Sequence, residues 1–327
     1  MTIWIGVDEA GYGPNLGPLV ISATVWQTDP GAEEDVFRGL SEDRGILWAA
    51  GRGGHMVPII GDSKRVYRRA AGIGGLERGV FGALRVAADR HGPRRNLDTW
   101  RAVWDRLDAA AATWLDSIDW YRDYDAAAPS AATQGELATI GTQLAAAFAR
   151  HQVVLRTIQS KAIFPEPFNR AVELCGGKGA ALTRWTLDLV ADLVRTHADT
   201  PITVRCDKHG ARNRYHRMLQ RAFPGHRIEI ERESKTESVY RWGAPERSVE
   251  TRFSVRGERF LPTALASMAS KLLREMAMAA FNAFWIARDA DLKPTAGYPV
   301  DAKRFRARIE SIQRRLGIPD RRLWRNR

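Results

Sequence analysis

Hydrophobic positions divide the chain before any composition is counted. Residues 2–8 and 19–26 are two β-rich runs joined by Gly11-Tyr12-Gly13-Pro14-Asn15-Leu16-Gly17-Pro18, which predicts a hairpin with an elaborated connection. A loop containing Gly51-Arg52-Gly53-Gly54 leads to Asp62-Ser63-Lys64. Between 69 and 149 the chain becomes Ala-rich, with a helical stripe of Leu97, Trp100, Trp104, Leu107, Ala111, Trp114 and Ile118 that Asn96 or Asp98 could cap. Ala126-Ala127-Ala128-Pro129-Ser130 breaks this helix, and a second is expected from Leu137 to Phe148. Helix–helix packing is the expected role of the tryptophan stripe, ahead of base stacking. A strand at 153–158 follows, then a helix through Leu182, Trp185, Leu189 and Leu193. Next come a strand at 202–206 ending at Asp207, a shorter one at 227–230, and a long helix from Thr263 to Trp285 headed by Pro262. Strands interleaved with helices predict an α/β fold with a mixed sheet.

The chain has 327 residues, 44% hydrophobic and 27% charged, which suits a globular protein with a sizeable core and excludes a disordered chain, a collagen or a disulfide-rich miniprotein. It has no apolar run long enough to span a membrane. No cleaved signal is expected at Met1-Thr2-Ile3-Trp4, and two cysteines, Cys175 and Cys206, suit a reducing cytoplasm as buried fillers. Charge adds more. The net +12 is uneven: residues 303–327 hold 10 basic and 2 acidic side chains, whereas 69–149 hold 9 and 10. A basic tail on a mildly basic body suggests a polyanionic partner, most simply nucleic acid. The alternative is a solvated amphipathic helix with Phe305, Ile309, Ile312 and Leu316 turned inward.

Candidate chemistry sits at strand ends. Asp8-Glu9 closes the first run and Asp207 closes the strand at 202–206, and in open α/β sheets ligands bind at such ends. Glu229, Glu231, Glu233 and Glu237 form a further acidic group. Two carboxylates about 4 Å apart repel by roughly 4 kcal/mol at an effective dielectric of about 20. Convergence therefore requires protonation or a divalent cation, and oxygen-only donors point to Mg²⁺ or Mn²⁺.

Asp8-Glu9-Ala10-Gly11-Tyr12-Gly13 with Gly17-Pro18 resembles the opening motif of the type 2 ribonucleases H. Asp62-Ser63-Lys64 resembles that family's DSK motif, and Asp207 falls where its third catalytic carboxylate belongs. Lys235-Thr236-Glu237-Ser238-Val239-Tyr240 resembles the KADxxY segment that supplies the fourth. Ala266-Ser267-Met268-Ala269-Ser270-Lys271 with Arg274-Glu275 is similar to the ASxxAKxxRD helix, and Gly297-Tyr298-Pro299 with Asp301 and Lys303 to the GYPxDPK segment. The matches are ordered and span residues 1–64 and 153–303. Three features depart from the pattern. Tyr12 replaces the motif arginine, Glu237 replaces an aspartate as in ribonuclease HIII, and the segment 69–149 has no recognised counterpart.

The resemblance implies a ribonuclease H-like mixed β-sheet flanked by helices, with a discontinuous core (1–68 and 150–302), a helical insertion (69–149) and a basic C-terminal helix or tail (303–327). It implies two-metal hydrolysis of the RNA strand of an RNA–DNA hybrid by a cytoplasmic monomer, leaving 5′-phosphate and 3′-hydroxyl ends. Asp8 would bridge two Mg²⁺ or Mn²⁺ ions with Glu9, Asp207 and Glu237, Glu233 being the competing ligand on spacing. Gly11, Tyr12 and Gly13 would approach the ribose, Lys64, Lys271 and Arg274 the phosphates, and Tyr298 the sugar beside the cut. His209 is expected as an exposed loop residue. Two alternatives stand beside this reading: a catalytically weakened hybrid-binding protein, and a nuclease whose insertion docks a protein partner.

Overall fold

The computed structural model describes residues 1–32, 34–43, 48–50, 56–67, 72–88 and 97–326. The expected Gly51-Arg52-Gly53-Gly54 loop and the Asn96 cap lie outside these residues. The strands are β1 (Thr2–Ala10), β2 (Leu19–Thr28), β3 (Trp48–Ala50), β4 (Met56–Pro58), β5 (Val153–Ile163), β6 (Ile202–Asp207), β7 (Glu229–Glu233), β8 (Glu237–Trp242) and β9 (Val249–Ser254). Seven of them form one mixed sheet in the order β5-β2-β1-β6-β9-β8-β7, and β3 pairs with β4 in a separate ribbon. The expected hairpin is present, with β1 and β2 antiparallel, while β1–β6 and β6–β9 are parallel. This is the α/β class expected from the sequence, a mixed sheet flanked by helices.

Alternation along β1 builds two cores. Ile3, Ile5 and Val7 join the cluster containing Leu182, Trp185 and Leu189 of the helix Lys178–Thr196. Trp4 joins the other cluster, beneath the 26-residue helix Leu261–Ile286, hereafter the central helix. Gly6 is where that helix begins its approach. A Cβ at Gly6 would lie 2.2 Å from the Pro262 carbonyl carbon and 2.3 Å from Thr263 N, both backbone atoms. Gly6→Ala is therefore expected to destabilise the fold by about 3 kcal/mol, read as a lower urea midpoint; an unchanged midpoint would contradict this packing.

The described part of residues 69–149 is built into the same core. Trp100 Nε1 donates to the Met276 carbonyl at 3.0 Å, and Trp120 packs edge-on to Phe281 at 5.3 Å. The tryptophans thus pack between helices as expected, although the helix itself breaks into Trp100–Leu107, a 3₁₀ turn Ala109–Ala111, Ala112–Ser117 and Asp119–Arg122. Its cap is Thr99, whose hydroxyl accepts from Ala102 N, rather than Asp98. The break follows Asp108, whose carboxylate accepts from Ala162 N of β5 at 2.6 Å.

Burial pushes the Asp108 carboxyl up to about 6, against the hydrogen bond from Ala162. The folded state then holds a proton that the unfolded chain releases near pH 4, so this group's contribution falls as pH rises from about 4 to 6. Asp108→Asn should remove that fall, giving a variant that gains up to about 3 kcal/mol on the wild type between pH 4 and 7 in paired denaturation curves. Parallel pH dependences would contradict it.

At the far edge, β7 is the shorter strand expected at 227–230, displaced to Glu229–Glu233, and its exposed acids charge the sheet edge. Strands β8 and β9 carry mixed charged and apolar residues and stand beyond the strands read from the sequence. In the C-terminal helix Pro299–Arg315, Phe305, Ile309 and Ile312 are buried as expected, but Leu316 is exposed. Its arginines largely meet acids: Arg304 with Asp301, Arg306 with Asp320 and Arg308 with Asp289.

Candidate active site

The parallel register sets the geometry. Val7 and Cys206 form the last pair of the parallel ladder, so the next residues, Asp8 near the end of β1 and Asp207 at the end of β6, stand side by side. Asp207 pairs in turn with Ser254 of β9. The Asp8 carboxylate accepts from Glu9 N at 2.8 Å, and the Ser270 hydroxyl of the central helix donates to the Asp8 carbonyl at 3.1 Å. Ser270 Oγ also hydrogen-bonds Ser22 Oγ of β2 at 2.8 Å, which in turn bonds Ser160 of β5. With Thr24 donating to the Pro262 carbonyl and Thr263 to that of Arg205, these hydroxyls fasten the central helix across four strands.

Burial raises the Asp8 carboxyl to about 7, with Asp207 and Glu258 adding to the rise and the Ser267 hydroxyl and Glu9 amide opposing it. Glu9 is held well above its usual range by burial and then by Asp8 and Asp207. Asp207 is raised by burial and by Glu258, against hydrogen bonds from Gly257 N and Lys208 N and the charge of Lys64. This is a site where negative charge is concentrated and poorly compensated.

Glu258 is the residue that sequence reasoning missed. It lies in the turn Gly257–Arg259, between β9 and the central helix. Gly257 N donates to Asp207 Oδ1 at 2.8 Å, and a Cβ at Gly257 would lie 3.0 Å from Asp207 Cα. A side chain at 257 would press on the strand end, and the close turn sets Glu258 where its charge acts on both aspartates. A glycine-acid pair just before the long helix was the available signal.

Glu237, the expected fourth carboxylate, is not brought to this group. Strand β9 stands between its strand β8 and β6. Its oxygens meet Ser254 Oγ at 3.2 Å, Arg232 at 3.2 Å and Arg252 at 3.9 Å, beside a cavity of about 440 Å³ that Arg205 and Arg259 also line. Glu233 is further removed and accepts from the Tyr240 hydroxyl.

Lys64 is exposed on the short helix Ser63–Val66, capped by Asp62, and Ser267 Oγ bonds Ser63 Oγ at 3.1 Å. Lys271 is half-buried, 2.7 Å from Glu275 and over the Tyr67 ring. Arg274 departs from expectation. It is 2% exposed and donates to the carbonyls of Pro18, Leu16 and Ala296, so it fastens the glycine turn and does not face solvent as a phosphate contact. Three residues after Lys271, it occupies the helix flank that packs down, not the one that stays open.

Gly11 has φ +92°, and a Cβ there would lie 2.6 Å from the Pro18 carbonyl oxygen. Tyr12 is half-buried with Lys178 Nζ 4.5 Å from its ring centroid, and Gly13 is open. Tyr298, 53% exposed, is the nearest neighbour of Gly13. Gly297 accepts from Asn15 N at 2.8 Å, tying the Tyr298 segment to the turn.

His209 is buried, not exposed: it is 4% exposed, between Thr183 (2.9 Å) and Thr186 (3.4 Å). Burial pushes its imidazole down to about 3, which favours the neutral form over the charged one. Cys206 is buried as expected, but Cys175 is only half-buried.

No family model and no curated protein matches the chain. Among solved structures it is similar to a chain of the PCNA:RNase HII complex from Archaeoglobus fulgidus, at 13% identity and TM-score 0.43, covering 99% of this chain and 94% of that one. It is also similar to the ribonuclease H2 from Pyrococcus horikoshii OT3, at 13% identity and TM-score 0.41, covering 98% of this chain and 92% of that one.

Proposed function

We propose that the chain is an endoribonuclease that hydrolyses the RNA strand of RNA–DNA hybrids by a two-metal-ion mechanism, leaving 5′-phosphate and 3′-hydroxyl ends. The observation that carries this reading is the pair Asp8 and Asp207, side by side where the parallel pairing of β1 and β6 ends, with Glu9 and Glu258 acting on them. Burial and mutual repulsion lift these carboxyls, and oxygen-only donors suit Mg²⁺ or Mn²⁺. The fit is one of donor chemistry: among the described residues, no three acids already close on a common point.

Asp8, Glu9, Asp207 and Glu258 would hold the ions. Once bound, divalent ions supply a lowered pKa to the attacking water and positive charge to the leaving oxygen. The remaining work falls to the chain. Lys64, close enough to act on Asp207, meets the phosphate; the open backbone at Gly13 approaches the ribose; Tyr298 packs on the adjoining sugar. Lys271 holds the nucleic-acid backbone from the central helix.

The spread of the carboxylates favours one second reading, a hybrid-binding protein with weakened catalysis. A hybrid with labelled RNA, incubated with Mg²⁺ or Mn²⁺ and in parallel with chelator, separates the two. Fragments that require the ion support the nuclease. Intact RNA under both ions, with the hybrid still bound, supports the second reading instead.

A further inference from the structure

Near its end the basic C-terminal segment carries an arginine that is not available to any polyanion. Arg325 is 1% exposed, and its guanidinium donates to the carbonyls of Gly11 and Pro14 while lying 4.7 Å over the Phe168 ring. Backbone bonds seat it on both sides: Arg325 N donates to the Asn15 carbonyl at 2.8 Å, and Asn15 Nδ2 donates back to the Arg325 carbonyl at 2.9 Å. Asn169 clamps the flanking residues, donating to the Trp324 carbonyl at 2.8 Å and accepting from Asn326 N at 2.7 Å.

A second buried guanidinium completes the arrangement, since Arg274 takes the carbonyls of Leu16 and Pro18. Two cations from opposite sides of the fold therefore hold four carbonyls of one turn, and no carboxylate pairs with Arg325 among the described residues. Burying a charge with only neutral acceptors is costly. Burial, and then the neighbouring Arg274, accordingly hold the Arg325 guanidinium well below its usual range.

The direction of these bonds gives them a consequence. A trans peptide is planar, so its carbonyl and the following N–H point in opposite directions. With the Gly11 carbonyl drawn to Arg325, the Tyr12 N–H points the opposite way, and the next residue, Gly13, lies open beside Tyr298.

We infer that Arg325 is a positioning residue: the C-terminal segment is a strap that, with Arg274, fixes the turn Gly11–Pro18 and presents the Tyr12 amide to the ribose of the substrate. The ribose part rests on the nuclease reading above; the strap itself does not. Residues at opposite ends of the chain, 314 apart in sequence, thereby form one recognition element.

Hydrogen–deuterium exchange on the full chain tests the strap without any substrate. In Arg325→Met, which keeps much of the volume over Phe168, the backbone amides of residues 11–17 should exchange about 10-fold faster, the size of losing one hydrogen bond to a charged group. Peptides of β1 and the central helix should be unchanged, and Arg325→Lys should recover part of the protection. If Arg325→Met does not fold, Asn169→Ala should loosen the same turn by freeing the strap on either side of Arg325. Unchanged exchange at the turn in a folded variant of either kind would overturn the strap.

Steady-state cleavage tests the ribose part. Arg325→Met should raise KM for the hybrid about 10-fold, with kcat within about 3-fold of the wild type. A loosened turn with unchanged KM would overturn the recognition role and leave the strap standing. A wild type that binds hybrid but never cuts it would overturn the nuclease reading, with the exchange result unaffected.

Discussion

Asp8→Asn should cut the RNA strand of a hybrid at least about 1,000-fold more slowly than the wild type, a loss of roughly 4 kcal/mol of transition-state stabilisation, while binding the hybrid about as tightly. The substitution is nearly isosteric and keeps an oxygen to accept from Glu9 N, so the strand end should keep its shape. What it removes is one charge from a group in which Asp207 and Glu258 already raise the Asp8 carboxyl. In metal-free buffer the same change should stabilise the fold, raising Tm by about 2–4 °C per kcal/mol of relieved repulsion. Loss of activity together with a gain in stability identifies charge placed for chemistry. A variant that keeps its rate, or that loses rate only because it unfolds, would contradict this role for Asp8.

The second large effect separates two glutamates. Glu258→Gln should lower kcat about 100-fold or more, in the range lost when a group that stabilises transition-state charge is removed, whereas Glu237→Gln should stay within about 3-fold of the wild type. Glu258 acts on both aspartates through the turn that Gly257 closes against Asp207. Glu237 is occupied by Ser254, Arg232 and Arg252 across the intervening strand β9. Its loss should appear mainly as a change in stability, because those arginines lose a partner. The reverse order of rates, with Glu237→Gln inactive and Glu258→Gln normal, would return the fourth ligand position to Glu237.

These two residues also mark where sequence reading succeeds and where it stops. Asp8, Glu9 and Asp207 stand out in the sequence because they come at the C-terminal end of apolar runs, and the parallel pairing of β1 with β6 juxtaposes Asp8 and Asp207. The long helix and the hairpin were legible for the same reason, since their periodicities are long and uninterrupted. Glu237 rests on motif register, with Lys235 and Tyr240 matching and Thr236 and Glu237 departing, but strand order is set by tertiary pairing, and β9 enters between β8 and β6. Glu258 belongs to a three-residue turn, too short to carry a period.

Burial was the other blind point. Spacing places Lys271 and Arg274 on neighbouring flanks of one helix, yet only packing decides that the arginine turns down to the carbonyls of Leu16 and Pro18. His209 looked like a loop residue because Thr183 and Thr186, which enclose it, sit on a helix more than twenty positions earlier. Within residues 97–118 the apolar stripe gave the buried Trp100 and Trp104, while Trp114 is half-buried. The break after Asp108 was hidden because its cause is a bond to β5, 54 residues away. Arg325 reads as one more charge in a basic tail until the fold brings the tail to the turn.

The most direct test of the central reading is to determine which strand of a hybrid is cut, and with what ends. An RNA–DNA hybrid labelled differently on each strand is incubated with the protein and Mg²⁺ or Mn²⁺, and the fragments are offered to a DNA polymerase. The expected result is internal cleavage of the RNA strand alone, with fragments that the polymerase extends directly because they end in a 3′-hydroxyl. Cleavage of the DNA strand, fragments that require a phosphatase before extension, or a hybrid left intact under both ions would contradict the assignment of the Asp8–Asp207 strand ends as a ribonuclease H-type centre.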